Sequence, residues 1–256
     1  MILLAAHAER SSRVAAVEEL LRVWFGQDGR DLPWRHTRDP YAILVSEVML
    51  QQTQVERVIP RYLRWLERWP SAQALAAASA GEVIREWQGL GYNRRALALH
   101  RAAARIAADG WPADLTELPG VGRYTADAVR NFAFGEPVLP VDVNVARLLE
   151  RTGAEFPPEL AGALMDLGAN VCLARVPRCC ECPLAAACPS RGRRYEPLRK
   201  QGPFDGSFRQ RRAVTLRLVA EAPRPLDQLD AEAVAALSHD GLVSVADGLV
   251  ALPGLT

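Results

Sequence analysis

The stretch "LPGVGRYTADAV", residues 118–129, decides how the chain around it folds. A proline and two glycines, Gly120 and Gly122, predict a tight turn that runs directly into a helix of small residues. Glycine allows the positive φ angles and the close backbone approach that such a turn needs. The N–H groups at the start of the helix then point outward and form an anion site. Taken alone, a Gly-x-Gly turn is also typical of an ordinary connection between two helices.

Helical spacing of apolar residues dominates on both sides of this turn, and strand-like alternation is almost absent before residue 240. Proline and glycine separate the segments. The pattern predicts helices near 13–26, 40–55, 57–68, 81–87, 93–108, 122–133, 142–151 and 159–171. We therefore expect an all-α main fold.

The C-terminal part of the chain has a different character. Residues 189–212 are rich in arginine and read as a basic linker. Two further helices are expected at 210–221 and 230–238, and "ADG" then separates two short apolar runs, which predicts a hairpin. This order resembles a small winged-helix module. Because its second helix, "DAEAVAALSHD", has no basic residue, packing against the main fold or against another protein is at least as good an interpretation as DNA recognition.

Bulk properties exclude a membrane protein. The net charge is +1 and 49% of the residues are hydrophobic, yet no apolar run reaches the roughly 18 residues of a membrane span. The first residues, "MILLAAHAER", lack the basic start and cleavage site of a signal peptide. We expect a cytoplasmic monomer, nucleoid-associated in a bacterium, with no membrane partner.

All five cysteines lie within "CLARVPRCCECPLAAAC", residues 172–188. In a reducing compartment, clustered thiols indicate metal binding and not disulfides. Four of them have the spacing C-x6-C-x2-C-x5-C, with Cys180 left over; they are Cys172, Cys179, Cys182 and Cys188. Four thiolates suit zinc or an iron–sulfur cluster. The single C-x2-C pair disfavours a zinc ribbon, and the spacing is that of the endonuclease III-like glycosylases, which favours a [4Fe–4S] cluster.

Two carboxyl residues stand out by their surroundings. Glu47 interrupts "PYAILVSEVML", an otherwise apolar segment, and burial there would favour its protonated form, as a general acid requires. A partly exposed glutamate on an amphipathic helix is the alternative. Asp142 directly precedes a helix in "LPVDVNVARLL", where an N-cap would stay ionised. A protonated acid and an ionised partner are the pair that cleaves glycosidic bonds.

Together these motifs resemble the MutY-type adenine DNA glycosylases of the helix-hairpin-helix (endonuclease III-like) superfamily. The resemblance covers roughly residues 28–190, through "RDLPWR", "SEVMLQQTQV", "GLGY", "LPGVGRYTADAV" and the cysteine spacing. It implies a two-lobed fold: an iron–sulfur cluster domain from 1–35 and 136–190, and a six-helix domain from 36–135. The linker would then be 191–212 and the winged-helix-like tail 213–256. It also implies a [4Fe–4S] cofactor and a partner, double-stranded DNA with a mismatch or an oxidised guanine.

The resemblance assigns roles to single residues. Glu47 would protonate adenine N7, and Asp142, with Asn144 beside it, would stabilise the positively charged sugar. The adenine pocket would be lined by Arg30, Leu32, Trp34 and Arg35. Contacts with DNA would come from Gln52 and Thr53 at the opposite base, from Leu90 and Tyr92 as the wedge that enters the base stack, and from Gly120, Gly122 and Arg123 at the phosphates.

Tyr124 bears on the mechanism. Relatives with lyase activity have a lysine there, and this chain has one lysine only, Lys200. We therefore expect a monofunctional glycosylase that hydrolyses mispaired adenine opposite 8-oxoguanine or guanine. Two alternatives stay open: a thymine or uracil mismatch glycosylase of the same fold, in which a tyrosine also occurs at this position, and a catalytically silent module that binds damaged DNA.

Overall fold

The computed structural model describes residues 16–196 and 202–254, and these residues are mainly helical. They fall into two compact units, one from residues 16–32 and 130–196 and the other from 33–129 and 202–254. The predicted linker, 191–212, overlaps the next helix, which already begins at Phe208. Residues 197–201 of the linker lie outside the described residues. No described helix is both long enough and apolar enough to cross a bilayer.

The first unit is built from α1 (16–28), α8 (Val143–Thr152) and α9 (Ala161–Asp166), which continues as a π-helical turn, Leu167–Val171. A short 3-10 helix, Pro158–Leu160, precedes α9. Its core joins Leu21 of α1 to Leu148, Leu164 and Leu184, the last of which lies in the cysteine segment. The cysteine segment is therefore anchored to the helices by an apolar side chain as well as by its thiols.

The second unit contains the remaining helices of the main fold. They are α2 (Pro40–Leu50), α3 (Val55–Arg68), α4 (Ala72–Ala76), α5 (Ala80–Glu86), α6 (Arg94–Asp109) and α7 (Arg123–Phe132), with 3-10 turns at Pro33–Arg35 and Leu115–Glu117. Trp65 lies at their centre, fully buried, with the ring of Trp69 4.7 Å away and that of Trp87 5.5 Å away, both edge-on.

Two sequence predictions for this unit need correction. The helix predicted over 40–55 ends at Leu50, and residues 51–54 form a turn, because Gln52 has a φ of 54° that no α-helix accommodates. The short α4 was not predicted, since five residues are too few to show helical periodicity. Ser71 caps α4 by accepting a hydrogen bond from the Ala74 N–H at 3.2 Å.

The C-terminal residues form α10 (Phe208–Glu221), β1 (Arg224–Pro225), α11 (Ala231–His239), β2 (Ser244–Ala246) and β3 (Leu249–Ala251), with a 3-10 turn at Leu226–Gln228. The predicted hairpin is present: β2 and β3 pair antiparallel, and Asp247 and Gly248 in the turn have φ of 49° and 75°. The strand β1 pairs with β3 and was not expected.

The C-terminal elements share one core with the main fold. Leu216 of α10 and Leu237 of α11 belong to the same buried cluster as Ile84 of α5 and Leu97 of α6. Gly81 N–H donates to the carbonyl of Pro253 at 2.8 Å, and Arg85 donates to the carbonyl of Ala220 at 3.0 Å. Packing against the main fold, one of the two interpretations of this tail, is thus what the structure shows for α11.

This shared core gives a testable expectation for stability. Leu216→Ala should lower the free energy of unfolding by about 2–5 kcal/mol, because Leu216 is fully buried and truncation leaves a cavity. Val214→Ala on the same helix, where the side chain is 40% exposed, should cost far less. Denaturant unfolding followed by tryptophan fluorescence checks this, since all six tryptophans precede the tail. An unchanged fluorescence transition for Leu216→Ala would show that the tail folds separately.

Candidate active site and cysteine cluster

Glu47 lies on a helix that is buried along almost its whole length. Asp39 caps α2 through a 3.0 Å hydrogen bond from the Tyr41 N–H, and Pro40 occupies its first turn. From Tyr41 to Met49 every residue of α2 is buried, and Glu47 is 5% exposed. The expectation of a buried glutamate is confirmed, and the amphipathic alternative is wrong. Burial disfavours the charged form of a carboxyl group, which suits a proton donor.

A hydrogen bond joins the end of α2 to the start of α7. Gln51, one turn after Glu47, donates from Nε2 to the buried Thr125 hydroxyl at 3.3 Å. Tyr124, the position that decides the lyase question, is the preceding residue and is half-buried. The structure therefore brings the predicted acid and Tyr124 into one region of the second unit.

The turn before α7 needs glycine at one of its two positions. Gly120 has a φ of 78°, and a Cβ there would lie 2.7 Å from the Cβ of Ala98 on α6. Gly122 has no positive φ and no heavy atom within 4 Å of such a Cβ, so it faces open space. Arg123 extends into solvent with 91% of its side chain exposed, 3.5 Å from Asp127. The outward-facing helix start that the sequence predicted is present.

The other predicted DNA contacts of the second unit lie on two segments, the 51–54 turn and the 89–92 loop. Thr53 joins them by donating its hydroxyl proton to the Leu90 carbonyl at 3.2 Å. Gln52 and Tyr92 are exposed, Tyr92 by 48%. Leu90, by contrast, is only 4% exposed. Of the two residues predicted to form the wedge, Tyr92 is therefore the one that solvent reaches.

The residues predicted to line the adenine pocket divide between the units. Arg30 and Leu32 belong to the first, and Arg35 and Trp34 to the second, where Trp34 contacts Tyr62 edge-on at 5.4 Å. Leu32 and Trp34 are buried.

Arg30 forms an ion pair that the sequence did not reveal. Its Nη2 lies 2.6 Å from the carboxylate of Asp166, and its backbone N–H donates to the same carboxylate at 2.8 Å. Asp166 is fully buried at the end of α9. A buried carboxylate needs a charged partner. Arg30 therefore holds the first residues of the predicted pocket segment, 30–35, to α9.

Asp142 is the N-cap of α8, as predicted. Its Oδ1 accepts from the N–H groups of Asn144 at 2.9 Å and Val145 at 2.7 Å, and its Oδ2 accepts from Asn144 Nδ2 at 3.0 Å. These three donors hold the carboxylate in one orientation at the start of the helix. Val141 and Val143 on either side are 42% and 78% exposed, so apolar side chains flank the carboxylate where solvent reaches it.

Arg147, which sequence reasoning missed, connects this cap to the cysteine segment. It donates to Asn144 Oδ1 at 3.0 Å, to the Gly168 carbonyl at 2.7 Å and to the Cys172 carbonyl at 2.9 Å. Partial burial lowers the pKa of Arg147. Gly168 allows the approach, since a Cβ on it would lie 2.9 Å from the Cβ of Asn144. The signal in the sequence was an arginine three residues after Asn144, on the same helix face.

Four cysteines lie around one pocket. Cys172, Cys179, Cys182 and Cys188 line it, whereas Cys180 is exposed and does not. The Gly192 N–H lies 3.3 Å from the Cys179 sulfur, and the Cys188 thiol lies 3.6 Å from the Arg151 carbonyl. Burial, together with the neighbouring thiols, raises the pKa of Cys182 to about 11. The grouping matches the four cysteines that the spacing selected.

Arg151 is a second arginine that the sequence did not reveal. It is 2% exposed and donates to the Cys172 sulfur at 3.2 Å. The same guanidinium lies 4.7 Å from the ring centre of Tyr195. Its other acceptors are main-chain carbonyls of the cysteine segment and its continuation: Cys172, Leu173, Ala174 and Arg193. Arg151 thus satisfies the backbone of a segment that has no regular secondary structure of its own.

The chain is similar to one protein family and to named members of it. The profile of the HhH-GPD superfamily base excision DNA repair proteins matches residues 45–159. An adenine DNA glycosylase of Mycobacterium tuberculosis is 39% identical, over 91% of this chain and 92% of its own length. A protein of the same name from Homo sapiens is also 39% identical, over 77% of this chain but 43% of its own length.

Solved structures agree on the fold. A thermostable thymine-DNA glycosylase superposes with a TM-score of 0.61 at 28% identity, covering 73% of this chain and 98% of its own. A trapped endonuclease III–DNA covalent intermediate superposes with a TM-score of 0.59 at 24% identity, covering 71% of this chain and 95% of its own. The second likeness concerns the fold alone.

Proposed function

Because the chain belongs to the MutY-type adenine DNA glycosylases of the HhH-GPD superfamily, we propose that it hydrolyses the glycosidic bond of mispaired adenine in duplex DNA, in base excision repair. The observation that carries this proposal is the contrast between two carboxyl groups. Glu47 is a buried residue of an otherwise apolar helix, α2. Asp142 accepts three hydrogen bonds at the start of another helix, α8. A buried carboxyl group and a second carboxyl group held by N–H donors are the pair that supplies the acid and the anion in glycoside cleavage.

In the proposed reaction, Glu47 donates a proton to adenine N7. The C1′–N9 bond then breaks, and its electron pair leaves with adenine. Asp142 stabilises the positive charge that develops on the sugar, and Asn144 and Val145 hold its carboxylate. Water adds to C1′ and gives a proton back to the Glu47 carboxylate. The products are free adenine and an abasic site.

Recognition of the duplex uses the second unit. The outward-facing start of α7, with Gly122 and Arg123, is suited to a phosphate. Tyr92 would enter the base stack and Gln52 would face the opposite base, 8-oxoguanine or guanine. An aromatic side chain in the stack offsets part of the unstacking cost, which is on the order of a few kcal/mol per step.

The reaction stops at the abasic site. A lyase step through a Schiff base needs an amine near C1′. Residue 124 is a tyrosine, and the chain's one lysine, Lys200, lies outside the described residues. We therefore propose a monofunctional glycosylase.

The four cysteines are proposed to hold a [4Fe–4S] cluster. A single zinc ion would draw its ligands together through bonds of about 2.3 Å. Among the residues described, no three histidine, cysteine or acidic residues are close enough to hold one metal ion, although four cysteines line the same pocket. Four thiolates around one pocket are a donor set that an iron–sulfur cluster accepts. A cluster with four protein ligands offers no open site for substrate, and its contribution would be to fix the fold of residues 172–192.

Thymine or uracil opposite guanine is the second candidate substrate. It is favoured by the likeness to the thermostable thymine-DNA glycosylase, at 28% identity. Adenine is preferred because the relatives named adenine DNA glycosylase match at 39% identity over more of the chain.

Glu47→Gln should reduce adenine release from an adenine:8-oxoguanine duplex by at least about 1,000-fold, because glutamine keeps the shape but cannot deliver the proton. Duplex affinity should change little. Single-turnover release followed by chromatography of the free base measures the first, and fluorescence anisotropy the second. Glu56→Gln, on the exposed face of α3, is the matched control and should be fully active. Normal turnover by Glu47→Gln would refute the assignment.

Asp142→Asn should also stop base release, because the charge is removed. Asparagine is as good an N-cap as aspartate, so stability should stay within about 1 kcal/mol of wild type. The matched control is Asp230→Asn, since Asp230 caps α11 by accepting from the Ala233 N–H at 2.8 Å. Thermal unfolding and single-turnover release are measured on both variants. Retention of more than a few per cent of the activity would count against Asp142.

Cys182→Ser should lose the broad visible absorption of an iron–sulfur cluster, whereas Cys180→Ser should keep it, because Cys180 alone lies outside the pocket. Iron and zinc are counted by mass spectrometry on the same samples. About four iron atoms per chain are expected for Cys180→Ser and for wild type. A colourless wild-type protein with zinc, or equal loss of iron in both variants, would overturn the ligand set.

A further inference from the structure

The two segments proposed to meet the base stack, the 51–54 turn and the 89–92 loop, have an unusual backbone. Gln52 and Tyr92 have φ of 54° and 46°, in the left-handed region that side chains rarely adopt. Among the residues described, the one other non-glycine residue with a positive φ is Asp247, in the hairpin turn. Such conformations persist when the surrounding structure imposes them, and they cluster at functional sites.

One side chain contacts both segments. Arg95 lies in the first turn of α6 and donates to Thr53 Oγ1 at 3.1 Å. The same Thr53 hydroxyl donates to the Leu90 carbonyl in the 89–92 loop. Its carbonyl acceptors in the end of α2 and in the turn are Val48 at 2.8 Å, Met49 at 3.1 Å and Gln51 at 2.5 Å. Its carbonyl acceptors in the loop are Leu90 at 3.3 Å, Gly91 at 2.9 Å and Tyr92 at 3.4 Å.

The backbone carbonyls around Arg95 need a planar donor with several N–H groups. The last carbonyls of a helix have no partner within the helix, and the turn after α2 does not continue it. A guanidinium has five N–H donors in a fixed plane and can serve both segments at once, whereas a lysine ammonium is a single compact point. The contacts therefore depend on arginine and not on positive charge alone.

Aromatic rings enclose the same guanidinium. It lies 5.3 Å from the ring centre of the buried Trp87 and 5.5 Å from that of the exposed Tyr92. Trp87 in turn donates from Nε1 to the Gly91 carbonyl at 3.1 Å. Burial lowers the pKa of Arg95 to about 10, so it remains charged at neutral pH. The ring of Tyr92, which is 48% exposed, thus lies against a cation.

We propose that Arg95 is a positioning residue for base flipping: it fixes the 51–54 turn and the 89–92 loop to each other, so that Gln52 and Tyr92 meet the duplex as one rigid unit. The proposal rests on the proposed glycosylase function. It assigns Arg95 no part in breaking the glycosidic bond. Losing Arg95 should therefore slow the extraction of adenine from the stack far more than the hydrolysis of an adenine that is already unpaired.

Two substrates separate these steps. In the first, adenine lies opposite 8-oxoguanine in a duplex; in the second, the same adenine lies opposite a stable abasic analogue, so no pair has to be broken. Arg95→Met should lower single-turnover release from the first by about 100-fold or more and from the second by less than about 10-fold. Arg95→Lys should restore little of the loss, because it restores charge without the planar donors.

The matched control is Arg68→Met. Arg68 also stacks on a tryptophan, Trp69 at 4.7 Å, and donates to Glu82 at 2.8 Å, but it contacts neither segment. It should leave the ratio of the two rates unchanged. If Arg95→Met does not fold, by circular dichroism, Arg95→Lys is measured on the same two substrates and is expected to show the selective loss.

A second measurement follows the unstacking of the base and does not depend on cleavage of the glycosidic bond. With 2-aminopurine in place of the target adenine, wild type should raise the fluorescence as the base unstacks, and the Arg95 variants should not. An equal loss on both substrates in a folded variant, an unchanged ratio, or full recovery in Arg95→Lys would overturn the proposal. If wild type unstacks the base but releases none from either substrate, the proposed function fails, and the fluorescence of the variants still decides the role of Arg95.

Discussion

A helix that is apolar on all sides must be buried. The helix α2 is such a helix, and it includes one buried carboxyl group, that of Glu47. Burying a carboxyl group on an otherwise apolar helix costs free energy, and titratable groups in such surroundings are candidates for function. Much of the second unit follows from the need to enclose this helix. Asp39 and Pro40 begin it, α3 packs against it, and Arg95 satisfies the carbonyls at its end.

Three arginines serve segments that leave regular structure; Arg151 is buried, and Arg95 and Arg147 are partly buried. Arg95 serves the turn after α2, and Arg151 serves the cysteine segment. Arg147 joins the capping network of Asp142 to the π-helical turn and to Cys172. In each case the guanidinium donates to carbonyls that no helix or strand satisfies. Irregular segments carry most of the proposed functional residues, and these arginines give them defined positions without secondary structure.

The sequence predicted the elements whose signals are local. Helix periodicity, the capping position of Asp142, the turn at Gly120 and the hairpin at Asp247 all appear as expected, because each depends on residues near one another in the chain. The end of α2 at Leu50, the burial of Leu90 and the contacts of Arg95 and Arg151 were not predictable in this way. They depend on segments that are distant in the chain meeting in space, as Arg95 meets Val48, 47 residues away, and Arg151 meets Leu173, 22 residues away. The tail was placed correctly as helices and a hairpin, but its shared core with α5 and α6 left no periodic signal.

The central claim is that an acid buried on α2 makes adenine a leaving group. The most direct test is single-turnover base release by the whole protein on four duplexes: adenine opposite 8-oxoguanine, adenine opposite guanine, and thymine or uracil opposite guanine. The released base is identified by mass. The account predicts free adenine from the first two duplexes and no pyrimidine from the others, with the DNA strand left intact at the abasic site. Release of a pyrimidine without adenine, or of no base at all, would contradict it.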